Sequence, residues 1–314
     1  MNALRNRLDA HRWHWQHGPI DIVAEAHGTP AAVAAAHEAA WQRISGEGLA
    51  RQNVLTELVH ELKLLRQCVQ PPSCPVRGPV ARRMWQACAL HAPEFITPMA
   101  AVAGSVAEEL IACYARRGID RAWLNNGGDI ALHLMPGHSV RIGLFSNLAR
   151  FHPAQLGQLS ADGRFEITDR QPVRGVATSG WRGRSFSLGI ADSVTVLAAT
   201  ASQADAAATL IANAVNVLHP AIGRRPANAC RDDTDLGERL VTTHVPPLPP
   251  ESIRQALDAG EARARALQAR GLVWAVVLVC QQQWRMVEPI ASPSILEIME
   301  PSVEPQHEQK VAIP

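Results

Sequence analysis

The sequence predicts a mixed fold of α-helices and β-sheet, and three observations support this. Apolar residues recur at helical spacing in the N-terminal third, short β-branched runs bounded by glycine fill the middle, and SVTVLAA feeds an alanine-rich helix. With 314 residues the chain can bury a large core. We expect one domain over residues 1–288, with two closely packed lobes as the alternative. Residues 289–314 are rich in Pro, Glu and Ser and predict a flexible tail.

The N-terminal third predicts two strands followed by two helices. Residues 11–27 contain alternating apolar positions around a Gly-Pro pair, which is typical of strands joined by a turn. The first helix should begin at Pro30, with Thr29 as its cap. A second helix from about Val54 has leucines at helical spacing, and the proline-rich residues 70–79 predict a linker.

The remainder alternates between the two kinds of element. A helix rich in small residues is predicted over 98–118, ending at a glycine. Strands are predicted at 122–134 (with a Gly-Gly break), 140–146, 164–169, 173–180 and 193–199. A helix should follow this last strand. After a loop-rich segment at 219–250, a charged helix over 251–270 and a final strand pair complete the chain.

Composition excludes several classes of partner. The formal net charge of +1 provides no field for nucleic acid or an acidic membrane. The longest strongly apolar run, residues 272–280, is about half of what a membrane span needs. No signal peptide is visible at the N-terminus, so we expect a cytoplasmic protein with a small-molecule partner. Apolar N-terminal helices and edge strands favour a homodimer.

The segment ADAAAT carries the first candidate site. Asp205 and Thr209 are four residues apart on a predicted helix, so both project from one face, among alanines that leave room for a ligand. A carboxylate and a hydroxyl could contribute to an oxygen shell for Mg²⁺ that substrate phosphates complete. The alternative is an exposed Asp and a Thr that bonds to its own helical turn. Spacing alone leaves both open.

Two glycine-containing motifs are the other candidates. NNGGDI, with Asp129, lies between two strands, where paired glycines allow close approach of a ligand or form a simple hairpin turn. VATSG ends a strand with backbone N–H groups that could bind an anion. Arg182 and Arg184 follow it and could bind phosphates, or remain solvated loop charges.

Together these motifs resemble the ApbE-like superfamily, whose characterised members are FAD:protein FMN transferases. The resemblance rests on AVAGSVAEELI, LNNGGDI, VATSG and SVTVLAATASQADAAAT, which occur in the superfamily's order over roughly residues 95–216. FITPMAAVAG, GRSFSLGIADSVTVLA and ADAAATLIANAV are similar to a cytoplasmic branch found in archaea and bacteria. This resemblance implies an α+β fold with mixed or antiparallel sheets packed with helices, and a possible flavin nucleotide cofactor.

The resemblance also implies roles for individual residues. In the transferases the Asp and Thr of the ADA-x-AT helix bind Mg²⁺, which implies a metal site at Asp205 and Thr209. Their NxGGDI and VATSG segments lie around the flavin nucleotide. The corresponding cofactor-binding positions here are Asn125, Gly127, Gly128, Asp129, Thr178, Ser179 and Gly180.

The chain departs from the superfamily pattern in the segments that supply acid–base catalysis in the transferases. The transferases have a His-Ile-x-Asp-Pro segment between VATSG and SVTV; here the interval is RGRSFSLGIAD, without His, and the Lys-Gly helix start is also missing. Ser187, Arg182 and Arg184 are the catalytic candidates that remain.

The leading hypothesis is an Mg²⁺-dependent protein that binds FAD or a related nucleotide and acts at the pyrophosphate, as an FMN transferase or a pyrophosphatase. The alternatives are a cofactor-binding protein in redox-cofactor biosynthesis or delivery, or an enzyme with a different small acid or amide substrate.

Overall fold

The computed structural model describes residues 2–47, 53–144, 163–290 and 296–298. Its centre is a nine-stranded, wholly antiparallel sheet in the order β1-β2-β3-β4-β5-β8-β9-β12-β13. These strands are β1 (Leu4–Arg7), β2 (Arg12–His17), β3 (Ile20–Gly28), β4 (Ile119–Asn126), β5 (Asp129–Leu134), β8 (Gly175–Ser179), β9 (Ser193–Ala198), β12 (Ala275–Cys280) and β13 (Gln283–Val287).

The six α-helices of the described residues cover one face of this sheet. They are α1 (Pro30–Ser45), α2 (Val54–Leu65), α3 (Pro79–Ala89), α4 (Val102–Ile111), α5 (Ala201–Ala214) and α6 (Pro250–Ala269). The first four pack with β2, β3 and β4 into one apolar core, whereas α5 and α6 pack with β8, β9, β12 and β13 into a second. α5 contributes to both cores, which makes it the central helix of the molecule.

A second sheet covers the opposite face over β5, β8, β9 and β12. It has three antiparallel strands: β6 (Ser139–Leu144), β7 (Gly163–Thr168) and β14 (Leu296–Ile298). Phe165 and Ile167 of β7 lie in the apolar core between the two sheets. A two-stranded ribbon of β10 (Gly223–Pro226) and β11 (Leu240–His244) completes the fold. The α+β class with antiparallel sheets is therefore confirmed.

Most predicted elements are present, and the differences have physical causes. The helix predicted over 98–118 is an α-helix only at α4; 3₁₀ turns flank it at Pro98–Ala101 and Ala112–Tyr114. β10 and β11 lie in the segment predicted as loop, because four- and five-residue strands give little periodic signal. Within the segment predicted as a flexible tail, β14 pairs with β7; the rest of that segment beyond 290 lies outside the described residues.

No helix in the described part of the chain combines the length and apolar character of a membrane span.

Candidate functional site

The N-terminal half of α5 lies against the backbones of two other elements. Thr200 caps the helix by accepting a hydrogen bond from the Gln203 N–H at 3.3 Å. A Cβ at Gly104 of α4 would lie 2.3 Å from the Ala201 carbonyl oxygen, and one at Gly175 of β8 would lie 2.2 Å from the Thr200 carbonyl oxygen. Glycine at both positions therefore allows α4 and β8 to approach α5 at its first turn.

This close approach places Asp205 in a poorly solvated position. Its Oδ2 accepts the Gly104 N–H at 2.9 Å. Burial of the carboxyl raises the pKa of Asp205 well above its ordinary value; the nearby charge of Asp129 raises it further, against the opposing N–H groups of Gly104 and Ala103. The residue keeps part of its surface accessible, so a ligand can reach it.

Asp129 approaches from the turn between β4 and β5. This turn needs glycine, since Gly127 and Gly128 have φ of +66° and +115°. The Asn125 Oδ1 accepts the Gly128 N–H at 2.8 Å and fixes the turn. Asp129 is buried and accepts the Thr178 N–H of β8 at 3.2 Å. Burial raises its pKa to about 7, although the Thr178 N–H and the charge of Arg184 lower it.

The remaining predicted ligand-binding residues lie around the same turn or support it. The guanidinium of Arg184 lies directly against Gly127, where a Cβ would be 1.7 Å from its Nη2. The Thr178 hydroxyl is 3.0 Å from that of Thr195 on β9. Ser179 is half-buried at the end of β8. Gly180 is structural, since a Cβ there would meet the Asp192 carbonyl oxygen at 2.4 Å.

Two of the three predicted catalytic residues are engaged elsewhere. Ser187 is buried, and its Oγ donates to the Asn213 Oδ1 at 3.3 Å. Asn213 is eight residues beyond Asp205, about 12 Å along the helix, so the structure does not bring Ser187 to the carboxylates. Arg182 lies over the Trp181 ring and 3.8 Å from Asp192.

Sequence reasoning missed several residues beside the site. Asn126 links β4 to α4 by donating from Nδ2 to the Ala103 carbonyl at 3.1 Å. The Thr97 hydroxyl donates to Asp235, which lies in the acidic run DDTD at 232–235. The buried Cys88 thiol has its pKa raised by burial and then by the charges of Asp205 and Asp235, so both carboxylates lie near it. Of these residues, only Asp235 lies in a sequence pattern that stands out, the acidic run DDTD.

Comparison with protein-family models identifies the family of this chain. The family model described as "AbpE bacteria" matches residues 5–286, which is most of the chain. This chain belongs to that family. The membership confirms the ApbE-like superfamily that the four motifs indicated.

Relatives of this AbpE family member occur in methanogenic archaea. A UPF0280 protein of Methanosphaerula palustris is 34% identical over 184 residues, covering 57% of this chain and 71% of that relative. A UPF0280 protein of Methanopyrus kandleri is 43% identical over 122 residues, but the match covers only 38% of this chain and 44% of the relative. A third UPF0280 protein, from Methanothermobacter thermautotrophicus, is 38% identical over 140 residues, and the match covers 44% of this chain and 50% of that relative.

Solved structures similar to the AbpE family member include the ApbE protein of Thermotoga maritima, with 12% identity and a TM-score of 0.44. That match covers 92% of this chain and 96% of the other. The flavinyl transferase ApbE of Pseudomonas stutzeri gives 12% identity and a TM-score of 0.37, over 92% and 94% of the two chains. At these scores we transfer no residue role from either structure.

The donor set of this family member limits the kind of metal site it can form. The described residues contain no group of three or more His, Cys, Asp or Glu side chains arranged to hold a metal ion. The carboxylate of Asp205 and the hydroxyl of Thr209 one turn later are both half-buried, and they fit an ion that takes its other oxygens from a ligand and water, which is typical of Mg²⁺.

Proposed function

We propose that this protein binds a flavin-like nucleotide, such as FAD, together with Mg²⁺ and acts at its pyrophosphate. One observation carries the proposal: Asp129 and Asp205 lie close together with raised pKa values, and neither forms an ion pair within the described residues. Two like charges in a poorly solvated position oppose each other's ionisation. A bound cation removes that conflict, so the pair is suited to a cationic ligand.

The proposed cation-binding residues are Asp205 and Thr209. Their oxygens are the hard ligands that Mg²⁺ prefers, and oxygens from two phosphate groups and from water would complete an octahedral shell. Bound there, Mg²⁺ would neutralise charge on the pyrophosphate. Asp129 adds a second negative charge close to Asp205, which favours a divalent ion over a monovalent one.

The proposed nucleotide-binding residues surround the Gly127–Gly128 turn. The glycines leave the backbone open to a phosphate, and Arg184 already lies against Gly127, where its guanidinium can pair with phosphate oxygens. Thr178 and Ser179 at the end of β8 add hydroxyl groups. In this assignment Arg184 stabilises the negative charge that develops on the leaving phosphate, whereas Arg182 and Ser187 have no direct part.

Titration of the purified protein with FAD, with and without Mg²⁺, tests the proposal. We expect Mg²⁺-dependent binding at micromolar FAD. Asp205→Asn should weaken it at least about 100-fold, since the main charged ligand is lost, and Thr209→Val about 10-fold. Asp258→Asn on α6 is the control, because it removes an exposed carboxylate outside the site. Chromatography of the products for FMN and AMP tests the reaction. The proposal is wrong if the wild-type protein binds no FAD, or if the control loses as much affinity as Asp205→Asn.

A cofactor-binding protein without turnover is the second candidate. The observation in its favour is that Ser187 and Arg182 are held away from the two carboxylates, so only one of the three predicted catalytic side chains lies at the turn. Tight Mg²⁺-dependent FAD binding, with no FMN, no AMP and no flavinylated protein after prolonged incubation, would select this candidate.

A further inference from the structure

A histidine–carboxylate pair lies on β2 and β3, outside the motifs considered so far. The Nε2 of His14 is 2.6 Å from the Oδ1 of Asp21, and each side chain is 24% exposed. Within the described residues the other ring nitrogen, Nδ1, has no hydrogen-bond partner. The imidazole is therefore oriented by a carboxylate on one side and available to a ligand on the other, which is how a base is positioned for proton transfer.

The pair lies at the same end of the sheet as the Gly127–Gly128 turn. In the register of β3 and β4, Ile22 is paired with Asn126, so Asp21 lies beside Gly127. Its main-chain N–H donates to the Asn126 Oδ1 at 3.3 Å. Since neighbouring strands are about 4.8 Å apart, the pair lies within one or two strand spacings of the turn.

The sheet register also shows which face the pair occupies. His14 is paired with Val23, which is paired with Asn125, so all three project from the face opposite the helices. Asp205 reaches the turn from the helical face. The two glycines at the rim of the sheet have no side chains to separate these faces. A pyrophosphate bound at the turn would be approached by Asp205 from one side and by His14 from the other.

The other charged side chains near the turn have other assignments in the proposed function. Arg184 is a permanent cation, and Asp129 and Asp205 are assigned to the cationic ligand. Residues 181–192 contain no histidine. Histidine is a common general base in enzymes, and His14 is the histidine whose carboxylate partner lies beside the turn.

We propose that His14 is the general base of the reaction at the pyrophosphate and that Asp21 is its positioning residue, an inference that rests on the proposed function. A water molecule attacks one phosphorus atom, and its proton passes to Nδ1 of His14 as the new P–O bond forms. The bridging P–O bond breaks, and the leaving phosphate monoester takes that electron pair. His14 then releases the proton to solvent. Asp21 holds the ring and stabilises its charged form.

The test compares His14→Ala with His27→Ala. His27 is a matched control: its Nε2 is 2.9 Å from the Glu25 Oε1 on the same strand, with similar exposure, but it pairs with Arg121, toward the other end of the sheet. FAD hydrolysis with Mg²⁺ is followed by release of FMN and AMP. We expect His14→Ala to lower kcat about 100-fold or more with KM within about threefold, and added imidazole to restore part of it. Asp21→Asn should lower kcat about 10-fold.

A second measurement does not depend on turnover. In protein with ¹⁵N-labelled histidine, bound FAD should shift the Nδ1 resonance of His14 and leave that of His27 unchanged. If the wild-type protein hydrolyses FAD and His14→Ala keeps its kcat, or FAD binds without shifting the His14 resonance, this inference is wrong while the proposed function stands. If the wild-type protein does not bind FAD, or binds it without turnover, the reaction and the role of His14 both fail.

Discussion

Glu109 on α4 and Asp129 at the start of β5 are both largely buried carboxylates, but their neighbours differ in charge. Glu109 accepts hydrogen bonds from Arg43 and Arg83, each at 2.9 Å. Burial alone would raise its pKa, yet these two arginines outweigh burial and lower it. Asp129 has no ion-pair partner in the described residues, and burial raises its pKa although the charge of Arg184 lowers it. The charge of Asp129 in turn raises the pKa of Asp205.

The ion pairs around Glu109 belong to a network that extends across the helical layer. Arg43 also pairs with Glu57 at 2.5 Å, and Arg83 with Glu108 at 3.0 Å. Glu108 then accepts the Ser202 N–H and hydroxyl, at 3.1 and 2.7 Å, in the first turn of α5. These charges are satisfied by the protein itself, so they position α5. Three residues further along the same helix, Asp205 is left without a cation, which is what a site for a charged ligand requires.

The largest expected effect is on the pH dependence of stability, which tests the raised pKa of Asp129. Asp129 has its pKa raised from 3.8 to about 7, so the native state binds more protons than the unfolded state between these values, and its contribution to stability falls as pH rises. We expect Asp129→Asn to stabilise the protein by roughly 3 kcal/mol more at pH 8 than at pH 5, measured by urea unfolding without divalent metal.

Comparing the wild type with Asp129→Asn cancels the effect of two histidines, whose contribution to stability changes with pH in the opposite direction. Burial lowers the pKa of both His37 and His91 to about 4, so these two residues increase stability as pH rises from about 4 to 6.5. They are present in both proteins and cancel in the difference. An Asp129→Asn protein with the same pH dependence as the wild type would show that Asp129 ionises normally.

The second test removes a paired carboxylate. Glu109→Gln removes one of the carboxylates that Arg43 and Arg83 contact, while Glu57 and Glu108 remain; the two arginines have 19% and 27% of their side-chain surface exposed. We expect a loss of about 2 kcal/mol in the free energy of unfolding at pH 7, reduced from the value for a fully buried pair by this partial exposure. Urea unfolding measures it. Unchanged stability would mean that the network is not needed to hold α4, whatever the effect on FAD binding.

The smallest test concerns the turn that holds Asp129. Gly127→Ala places a side chain at φ +66°, which costs about 1 kcal/mol, and forces Arg184 to move. Gly137→Ala is the matched control, with φ +84° and nothing within 4 Å of the added Cβ. Thermal unfolding should show similar decreases of about 2–4 °C for both. Only Gly127→Ala should weaken FAD binding; equal binding by both variants would exclude Arg184 and the turn from the site.

Several parts of the fold were predictable because their signals are local. Pro30 begins α1 and Asn53 caps α2, with its Oδ1 accepting the Thr56 N–H at 2.8 Å. The glycines of NNGGDI predicted a break between two strands, and β4 and β5 are separated there. The helix α3 was not predicted, although Val80, Met84 and Cys88 are buried on one face at helical spacing. Its low mean hydropathy hid that pattern among arginines.

The candidate site was predictable only in part. Asp205 and Asp129 carry motifs, and the structure brings them together. Ser187 was selected for its hydroxyl and its place in the sequence, but its partner Asn213 is a contact that no local pattern encodes. Asp235 and Thr97 are 138 residues apart, and His14 lies more than 100 residues from the turn it approaches. Such contacts depend on strand order and register.

The sequence by itself determined the class of the fold, the ApbE-like motifs and the identity of the two acidic residues, because glycine turns, helix caps and small-residue runs act over a few residues. The tertiary structure decided which carboxylates are neutralised and which are not. Neither the NNGGDI motif around Asp129 nor the helical sequence around Glu109 indicates the charges that surround the folded side chain. The arginines of α1 and α3 that pack beside Glu109 lower its pKa, whereas burial without an ion-pair partner in the described residues raises the pKa of Asp129.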